Sequence, residues 1–280
     1  MFKTKLIAAA IALGVSGFAN ATITLGATGN TEFVFSAYDS IAGKGYTYDL
    51  SDLGWDDIYG ADVRMNSLIG STNTTAAIGT TLIAKPVNGI LFDIALPSFS
   101  TFLASANAAN LNWNVVSAEN SSIRRIVQTV STAPATPLAN SKIVTAANNF
   151  DNYASAVNAL GTHPGTTATD GVALTSTTDL TGYAGNIGSN FQGAGYASTG
   201  GINDVLSFYV FSTNSTNLSS TAAGRVAQLK SADGQAVVAK IYQGADGYHL
   251  QISAVPEPET YAMLLAGLGL LGFAARRKNA

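Results

Sequence analysis

The sequence predicts a mainly β fold: a β-sandwich-like body with one amphipathic helix, preceded by an N-terminal signal helix and followed by a C-terminal transmembrane helix. Three observations lead to this prediction. Segments rich in β-branched and aromatic residues recur between clusters of Gly, Asn and Ser, as strands do. One segment instead repeats its apolar residues at helical spacing. Both ends of the chain contain apolar runs next to basic residues.

The composition limits the classes of function. The 280 residues are 47% hydrophobic but only 11% charged, against about 25% charged in an ordinary soluble domain. With 25 Ser, 29 Thr, 28 Gly and 21 Asn, uncharged polar groups take the place of charges on the surface. The net charge of −3 argues against a nucleic-acid partner, which would require phosphate neutralisation. The absence of cysteine excludes disulfides and thiolate chemistry.

Residues 1–21 have the three parts of a secretory signal peptide. Lys3 and Lys5 form the basic start, an apolar run follows over 6–15, and Ala19 and Ala21 give an Ala-x-Ala ending. Ten apolar residues are too few for a lasting membrane span. We therefore predict cleavage by signal peptidase after Ala21 and export of the rest of the chain. A buried N-terminal helix is the alternative.

The body, residues 22–254, carries the strand signals. Strands are predicted over 32–38, 90–96, 111–118, 122–130, 204–212, 225–230, 235–242 and 248–253. Asp-Gly turns separate the last three, which we expect to form a meander. A sandwich of roughly eight to twelve strands fits this pattern.

One amphipathic helix is predicted over 141–160. Its apolar residues recur at three- and four-residue steps, and Gly161 and Pro164 follow as stop signals. They are Ile143, Ala147, Phe150, Ala154, Val157 and Leu160. The Gly/Thr/Ser-rich stretch 161–201 is predicted to be a long loop or irregular insertion.

Residues 255–280 form a third unit. A nearly uncharged run over 261–275 lies between Pro256-Glu257-Pro258 and Arg276-Arg277-Lys278. Fifteen helical residues span about 22 Å, so crossing a hydrocarbon core of about 30 Å requires snorkelling arginines and a thinned bilayer. The basic cluster anchors the topology by placing the C-terminus in the cytoplasm, in agreement with the signal peptide.

This tail resembles the PEP-CTERM sorting signal of exported proteins from Gram-negative bacteria that make exopolysaccharide. The resemblance covers residues 255–280 and implies recognition by an exosortase, a membrane-embedded protease, with processing near Pro256-Glu257-Pro258. It also implies a transient stay in the inner membrane and a destination at the cell surface or in the extracellular matrix. An ordinary membrane anchor after a proline-containing linker is the alternative.

The body shows no catalytic motif. It contains two glutamates, Glu32 and Glu119, and two histidines, His163 and His249, and no ligand cluster is visible near either histidine. Nucleophile elbows, zinc-binding helices and phosphate loops are absent from the sequence. Glycosidases generally need two facing carboxylates, and no such pair is visible. We therefore predict a protein that is not an enzyme, with both histidines at ordinary surface or sheet positions.

Five aspartates form the densest ionic feature of the sequence. Their oxygens suit Ca²⁺, which takes six to eight such ligands, but their spacing is not that of an EF-hand. A solvated acidic loop is the preferred interpretation, calcium is the alternative, and no other cofactor is predicted. The five are Asp49, Asp52, Asp56, Asp57 and Asp62.

Aromatic side chains such as Trp55, Trp113 and Tyr209 are candidates for stacking on sugars, although core positions are the preferred interpretation. The leading hypothesis is a non-enzymatic surface or matrix protein, sorted through its tail and associated with exopolysaccharide in biofilm or floc. A carbohydrate-binding module or polysaccharide-acting enzyme on the same scaffold is the second. A simple anchored envelope protein that keeps its tail is the third.

Overall fold

The computed structural model describes Ile23, Leu25 and residues 32–54, 80–83, 89–120, 124–160, 171–214, 217–230 and 235–254. The predicted signal peptide and sorting tail lie outside these residues, so their two helices stay predictions. Within the described part of the chain, no helix combines the length and apolar character needed to cross a membrane.

Eleven strands occur among the described residues, in agreement with the mainly β prediction. They are β1 (Glu32–Asp39), β2 (Lys44–Gly54), β3 (Thr80–Ile83), β4 (Gly89–Ala95), β5 (Leu111–Glu119), β6 (Arg125–Val130), β7 (Val172–Ser176), β8 (Val205–Ser212), β9 (Arg225–Lys230), β10 (Val237–Gln243) and β11 (Tyr248–Ala254). The α-helices are α1 (Phe99–Ser105), α2 (Asn140–Ala159) and α3 (Ala184–Ile187). Short 3₁₀ turns lie at Ala108–Asn110 and Thr177–Gly182.

The strands form one curled sheet in the order β4-β11-β10-β8-β6-β5-β1-β2-β7. One edge of β8 is shared: β10 pairs with its first residues and β9 with its last. β3 joins β9 in parallel, whereas the other pairs are antiparallel. The sandwich-like body is thus a single sheet that folds over its own core.

The inner core lies inside the curl. It combines side chains from β1, β2, β5, β8, β10 and β11 with α1. Phe99 of α1 contacts Tyr46 of β2 at 5.1 Å and Tyr248 of β11 at 5.4 Å between ring centroids. Because β2 and β11 lie far apart in the strand order, these contacts join opposite ends of the sheet across the inner core.

The outer core lies between the convex face and α2. The predicted helix is confirmed within one residue at each end, and the apolar positions Ile143, Ala147, Phe150, Ala154 and Val157 are all buried. They pack against the outward-facing residues of β1, β5, β6 and β8. These central strands are therefore buried on both faces, because the inner core covers one face and the outer core covers the other.

A buried tyrosine joins α2 to the sheet. The Tyr153 hydroxyl lies 3.0 Å from Ser36 Oγ on β1 and 2.5 Å from Thr47 Oγ1 on β2. Burial raises the pKa of Tyr153 to about 12, although both hydroxyl contacts lower it. The phenol therefore stays protonated, and its contacts satisfy polar groups that would otherwise be buried without partners.

Antiparallel pairing brings both ends of the described body to one pole. Glu32 pairs with Gly54, and Ala254 pairs with Gly89. The turns at 40–43 and 244–247 lie at the opposite pole, because Tyr46 and Tyr248, close to those turns, both contact Phe99. We call these the terminal pole and the distal pole.

Two local predictions are wrong. The last three strands do not form a meander, since β9 pairs with β8 and β3 and meets β10 through the single bridge Lys230–Ala236. The stretch 161–201 is also more than a loop, because its described part contains β7 and α3. Pairing with β2 supplies the hydrogen bonds of β7, and the local composition gave no sign of that pairing.

Candidate functional site

A cluster of titratable side chains in contact with one another lies on the outer face of β4, β10 and β11. It consists of Asp93, Tyr242, Asp246 and His249, with Lys240 beside them. We call strands β4, β10 and β11 the wing of the sheet, and this group of side chains the wing cluster. Its members come from three neighbouring strands and one turn, so the pairing of the sheet assembles it.

Strand register determines the positions of these side chains. Tyr242 and His249 are directly paired across β10 and β11, and their rings stack at 5.2 Å with an angle of 27°. Asp246 lies in the connecting turn, which Gly244 N–H closes by donating to the Gly247 carbonyl at 2.7 Å. Gly247 has a φ of 139°, a backbone conformation that glycine adopts readily and other residues rarely do.

Hydrogen bonds join the members into a chain. The Tyr242 hydroxyl donates to Asp93 Oδ2 at 2.7 Å, and His249 Nδ1 lies 3.1 Å from Asp93 Oδ1. On the other side of the ring, His249 Nε2 lies 2.9 Å from Asp246 Oδ1. The imidazole thus lies between two carboxylates, with the Lys240 ammonium 5.9 Å from the centroid of the Tyr242 ring.

These contacts set the protonation of the cluster. The hydrogen bond to Asp93 raises the pKa of Tyr242 to about 12, with burial and the charges of Asp93 and Asp246 adding to it. Its hydroxyl therefore remains a donor at neutral pH. The hydrogen bond from His249 holds the pKa of Asp246 below its usual value. The side chains are 15% exposed for His249, 34% for Asp93 and 76% for Asp246, so the cluster borders solvent.

His249 lies on β11, in agreement with the predicted sheet position, but its contacts with Asp93 and Asp246 were not predicted from the sequence. Asp93 is 156 residues away in sequence, and only the β4–β11 pairing brings it into contact. Asp246, three residues before His249 across a turn, was a visible signal. His163 lies outside the described residues.

The acidic residues proposed for calcium are largely beyond what the structure describes. Asp49 is buried on β2, where its amide donates to the Gly171 carbonyl at 3.1 Å. The backbone of Asp52 lies in β2, but its side chain lies outside the described part, as do Asp56, Asp57 and Asp62. Among the described residues, no three His, Asp or Glu side chains are grouped as metal ligands. Calcium binding stays a prediction.

The aromatic candidates occupy the cores. Trp113 is fully buried, stacks on Phe35 at 5.9 Å, and donates from Nε1 to the Gly201 carbonyl at 2.7 Å. Tyr209 is buried in the outer core. The preferred interpretation as core residues is confirmed for both, and Trp55 lies outside the described residues.

Asp39 is a structural carboxylate at the distal pole. Its two oxygens accept hydrogen bonds from the N–H groups of Ile41, Ala42 and Asn107 at 2.8 to 3.0 Å. Burial alone would raise the pKa of Asp39, but the bonds from Ala42, Asn107 and Ile41 together outweigh it and hold the pKa below its usual value. This carboxylate ties the β1–β2 turn to the loop before β5.

The residues predicted for processing lie outside the described part of the chain. They are Ala19, Ala21, Pro256, Glu257, Pro258, Arg276, Arg277 and Lys278. The last described strand, β11, ends at Ala254, immediately before the predicted tail.

Comparison with known proteins addresses that tail. A family model described as the PEP-CTERM protein-sorting motif matches residues 254–278, which confirms the resemblance found in the sequence. No curated protein and no solved structure matches the chain. The motif implies an exported protein that transits a membrane and has an exosortase as its processing partner.

Proposed function

We propose that this chain, whose residues 254–278 match the PEP-CTERM protein-sorting motif, is a non-enzymatic surface or matrix protein that associates with exopolysaccharide. In this proposal, signal peptidase removes residues 1–21, an exosortase processes the tail near Pro256-Glu257-Pro258, and the β-rich body is the mature protein. The motif match at 254–278 is the observation that carries the proposal.

The surface chemistry supports an exterior role. Only 11% of the residues are charged, and hydroxyl and amide side chains take their place. Such side chains both donate and accept hydrogen bonds, as sugar hydroxyls do. A surface of this kind is suited to a hydrated polysaccharide environment and offers hydroxyl groups for glycosylation.

The position of the tail also supports processing. β11 ends at Ala254 at the terminal pole, and the matched motif begins at residue 254. Cleavage just beyond this point removes no described strand, so the body keeps its sheet. The two prolines also remove backbone donors from the motif, which favours an extended segment that a protease groove can bind.

Tail deletion tests the proposal. A chain lacking residues 255–280 is expected to accumulate as a soluble periplasmic protein, whereas the complete chain reaches the cell surface or matrix. The measurement is immunoblotting of periplasmic, membrane and matrix fractions from a host that contains an exosortase.

A second variant separates sorting from anchoring. Replacing Pro256, Glu257 and Pro258 with Ala, Gln and Ala retains the apolar run and the basic end, so membrane insertion persists while processing is expected to stop. Surface display at the level of the complete chain in both variants would contradict the sorting role.

The wing cluster favours binding over hydrolysis as a second role of the body. Its two carboxylates lie on opposite sides of one imidazole, which contacts both Asp93 and Asp246. In a glycosidase, the space between the carboxylates holds the scissile bond, with an additional water in inverting enzymes. The histidine occupies that space, so this arrangement supports a surface that holds a sugar chain rather than one that cleaves it.

A further inference from the structure

The two halves of the sheet differ in what covers their outer faces. Within the described residues, the outer core draws its side chains from the central strands, α2 and the segment 183–194, and it includes none from β4, β10 or β11. Along β10, burial alternates between inward Val237, Ala239 and Ile241 and half-exposed side chains between them. Among the described residues of β4, β10 and β11, the outward side chains of Asp93, Lys240, Tyr242, His249 and Gln251 are partly exposed, and we call this outer face the platform.

Polar and aromatic side chains line this platform in register. Asp93, Gln251 and Lys240 form one row across β4, β11 and β10, and Tyr242 with His249 forms the next. We propose that this platform, centred on the wing cluster, is a binding site for a neutral, hydroxyl-rich polysaccharide chain. The inference rests on the proposed function, which it deepens by assigning the surface that contacts polysaccharide.

The hydrogen-bond donors and acceptors of the platform match those of a sugar chain. A carboxylate accepts at about four positions, and the hydrogen bonds of Asp93 to Tyr242 and His249 use two of them. Lys240 supplies donors, Gln251 supplies both kinds, and the stacked rings of Tyr242 and His249 add apolar surface. Binding sites that combine aromatic area with a few placed polar groups suit ligands with alternating apolar and hydroxyl surfaces.

The charges on the platform favour a neutral polysaccharide over an acidic one. Two carboxylates, Asp93 and Asp246, face the ligand together with one permanent cation, Lys240, and the imidazole of His249. The carboxylates of a polyuronate would meet carboxylates here, and like charges across an interface oppose association. A neutral polymer meets no such opposition.

The position of the platform leaves it accessible. His249 and Asp246 lie next to the turn at the distal pole, whereas β11 delivers the tail from the terminal pole. The cluster therefore lies at the opposite pole from Ala254, the last described residue before the tail.

Affinity electrophoresis of the complete chain in non-ionic detergent tests the proposal. The probes are hydroxyethylcellulose and dextran as neutral polymers and alginate as a polyuronate. At least one neutral polymer is expected to retard the protein, with alginate causing much less retardation. Tyr242→Ala and Asp93→Asn are each expected to weaken that retardation by about tenfold.

Matched substitutions over the central strands, away from the wing cluster, provide controls. Tyr196→Ala removes a partly exposed tyrosine that packs on the outer core, and Lys142→Ala removes a lysine of α2 whose ammonium donates to the Gly193 carbonyl. Both are expected to bind within about twofold of the unaltered chain. Thermal melting of each variant checks that it is folded before binding is compared.

The outcomes separate the site from the proposed function. No retardation by either neutral polymer, stronger retardation by alginate, or equal binding by the wing variants and the unaltered chain would overturn the platform. If the protein nevertheless sorts to the matrix through its tail, the proposed sorting role survives that result. If tail deletion leaves sorting unchanged while the platform binds, the sorting role fails and the binding site stands.

Discussion

The central strands and the wing of the same sheet differ in what packs on their outer faces. This difference determines whether their outward side chains are buried or partly exposed. β1, β5, β6 and β8 are buried on nearly every side chain, because the inner core fills one face and α2 with its neighbours covers the other. In β10, by contrast, buried and half-exposed side chains alternate. The centre is therefore specialised for stability, whereas the wing can hold polar groups at a surface without the cost of burying them.

The largest expected effect is in the centre. Phe35→Ala removes a fully buried ring that contacts Tyr46, Phe99 and Trp113, so it should lower the free energy of unfolding by about 3–5 kcal/mol. Urea denaturation followed by tryptophan fluorescence measures this value. A loss below about 1 kcal/mol would show that the inner core is not packed as described.

Asp39 provides a pH test of the same region. Its pKa in the folded chain lies below its ordinary value of 3.8, so its stabilising contribution is complete above that value and is lost as pH falls through the folded pKa. Asp39→Asn should cost about 1–2 kcal/mol at neutral pH.

The same substitution should flatten the dependence of unfolding free energy on pH below about 4. Asp246→Asn is the control, because the hydrogen bond that lowers the pKa of Asp246 involves a 76% exposed side chain and is screened by solvent, so this variant should change the slope less than Asp39→Asn does. Equal slopes for Asp39→Asn and the unaltered chain between pH 2 and 5 would contradict the assigned role.

Tyr153→Phe tests the polar link between α2 and the sheet. Loss of the hydroxyl leaves Ser36 Oγ and Thr47 Oγ1 buried without that partner, so the free energy of unfolding should fall by about 1 kcal/mol. Tyr196→Phe, which removes a half-exposed hydroxyl bonded to Thr136, should change it by less than about 0.5 kcal/mol. Chemical denaturation compares the two, and equal losses would refute a special role for the buried hydroxyl.

The smallest effect on stability is expected on the wing. Tyr242→Phe removes the donor to Asp93 at a solvent-facing site, so the free energy of unfolding should change by less than about 0.5 kcal/mol. A loss comparable with that of Phe35→Ala would mean that the wing cluster is part of the structural core. The comparison between centre and wing would then fail.

Local patterns predicted the elements better than their pairing. The predicted strand over 225–230 and the helix over 141–160 agree with β9 and α2 within one residue, because each has its own composition and stop signals. β2 and β7 were not among the predicted strands; β2 forms a hairpin with the adjacent β1, whereas β7 obtains its hydrogen bonds from β2, which is distant in the chain. The predicted meander is wrong because β9 and β10 both pair with the same edge of β8 instead of forming a ladder with each other.

The functional residues also divide into those that the local sequence reveals and those that only strand pairing brings together. The sorting motif of the tail could be predicted from the sequence, because its three parts are contiguous, and a family model matches residues 254–278. Within the wing cluster, only the Asp246–His249 contact was local enough to be visible. The contact between Asp93 and Tyr242 spans 149 residues and depends on the pairing of β4 and β10 with β11.

Top-down mass spectrometry of the mature protein tests the central claim most directly, because one spectrum reads both ends of the chain. The account predicts an N-terminus at Thr22 and a C-terminus near Pro256-Glu257-Pro258 in cells that contain the exosortase, with the tail retained in cells that lack it. A mature protein that still ends at Ala280 in exosortase-containing cells would contradict it.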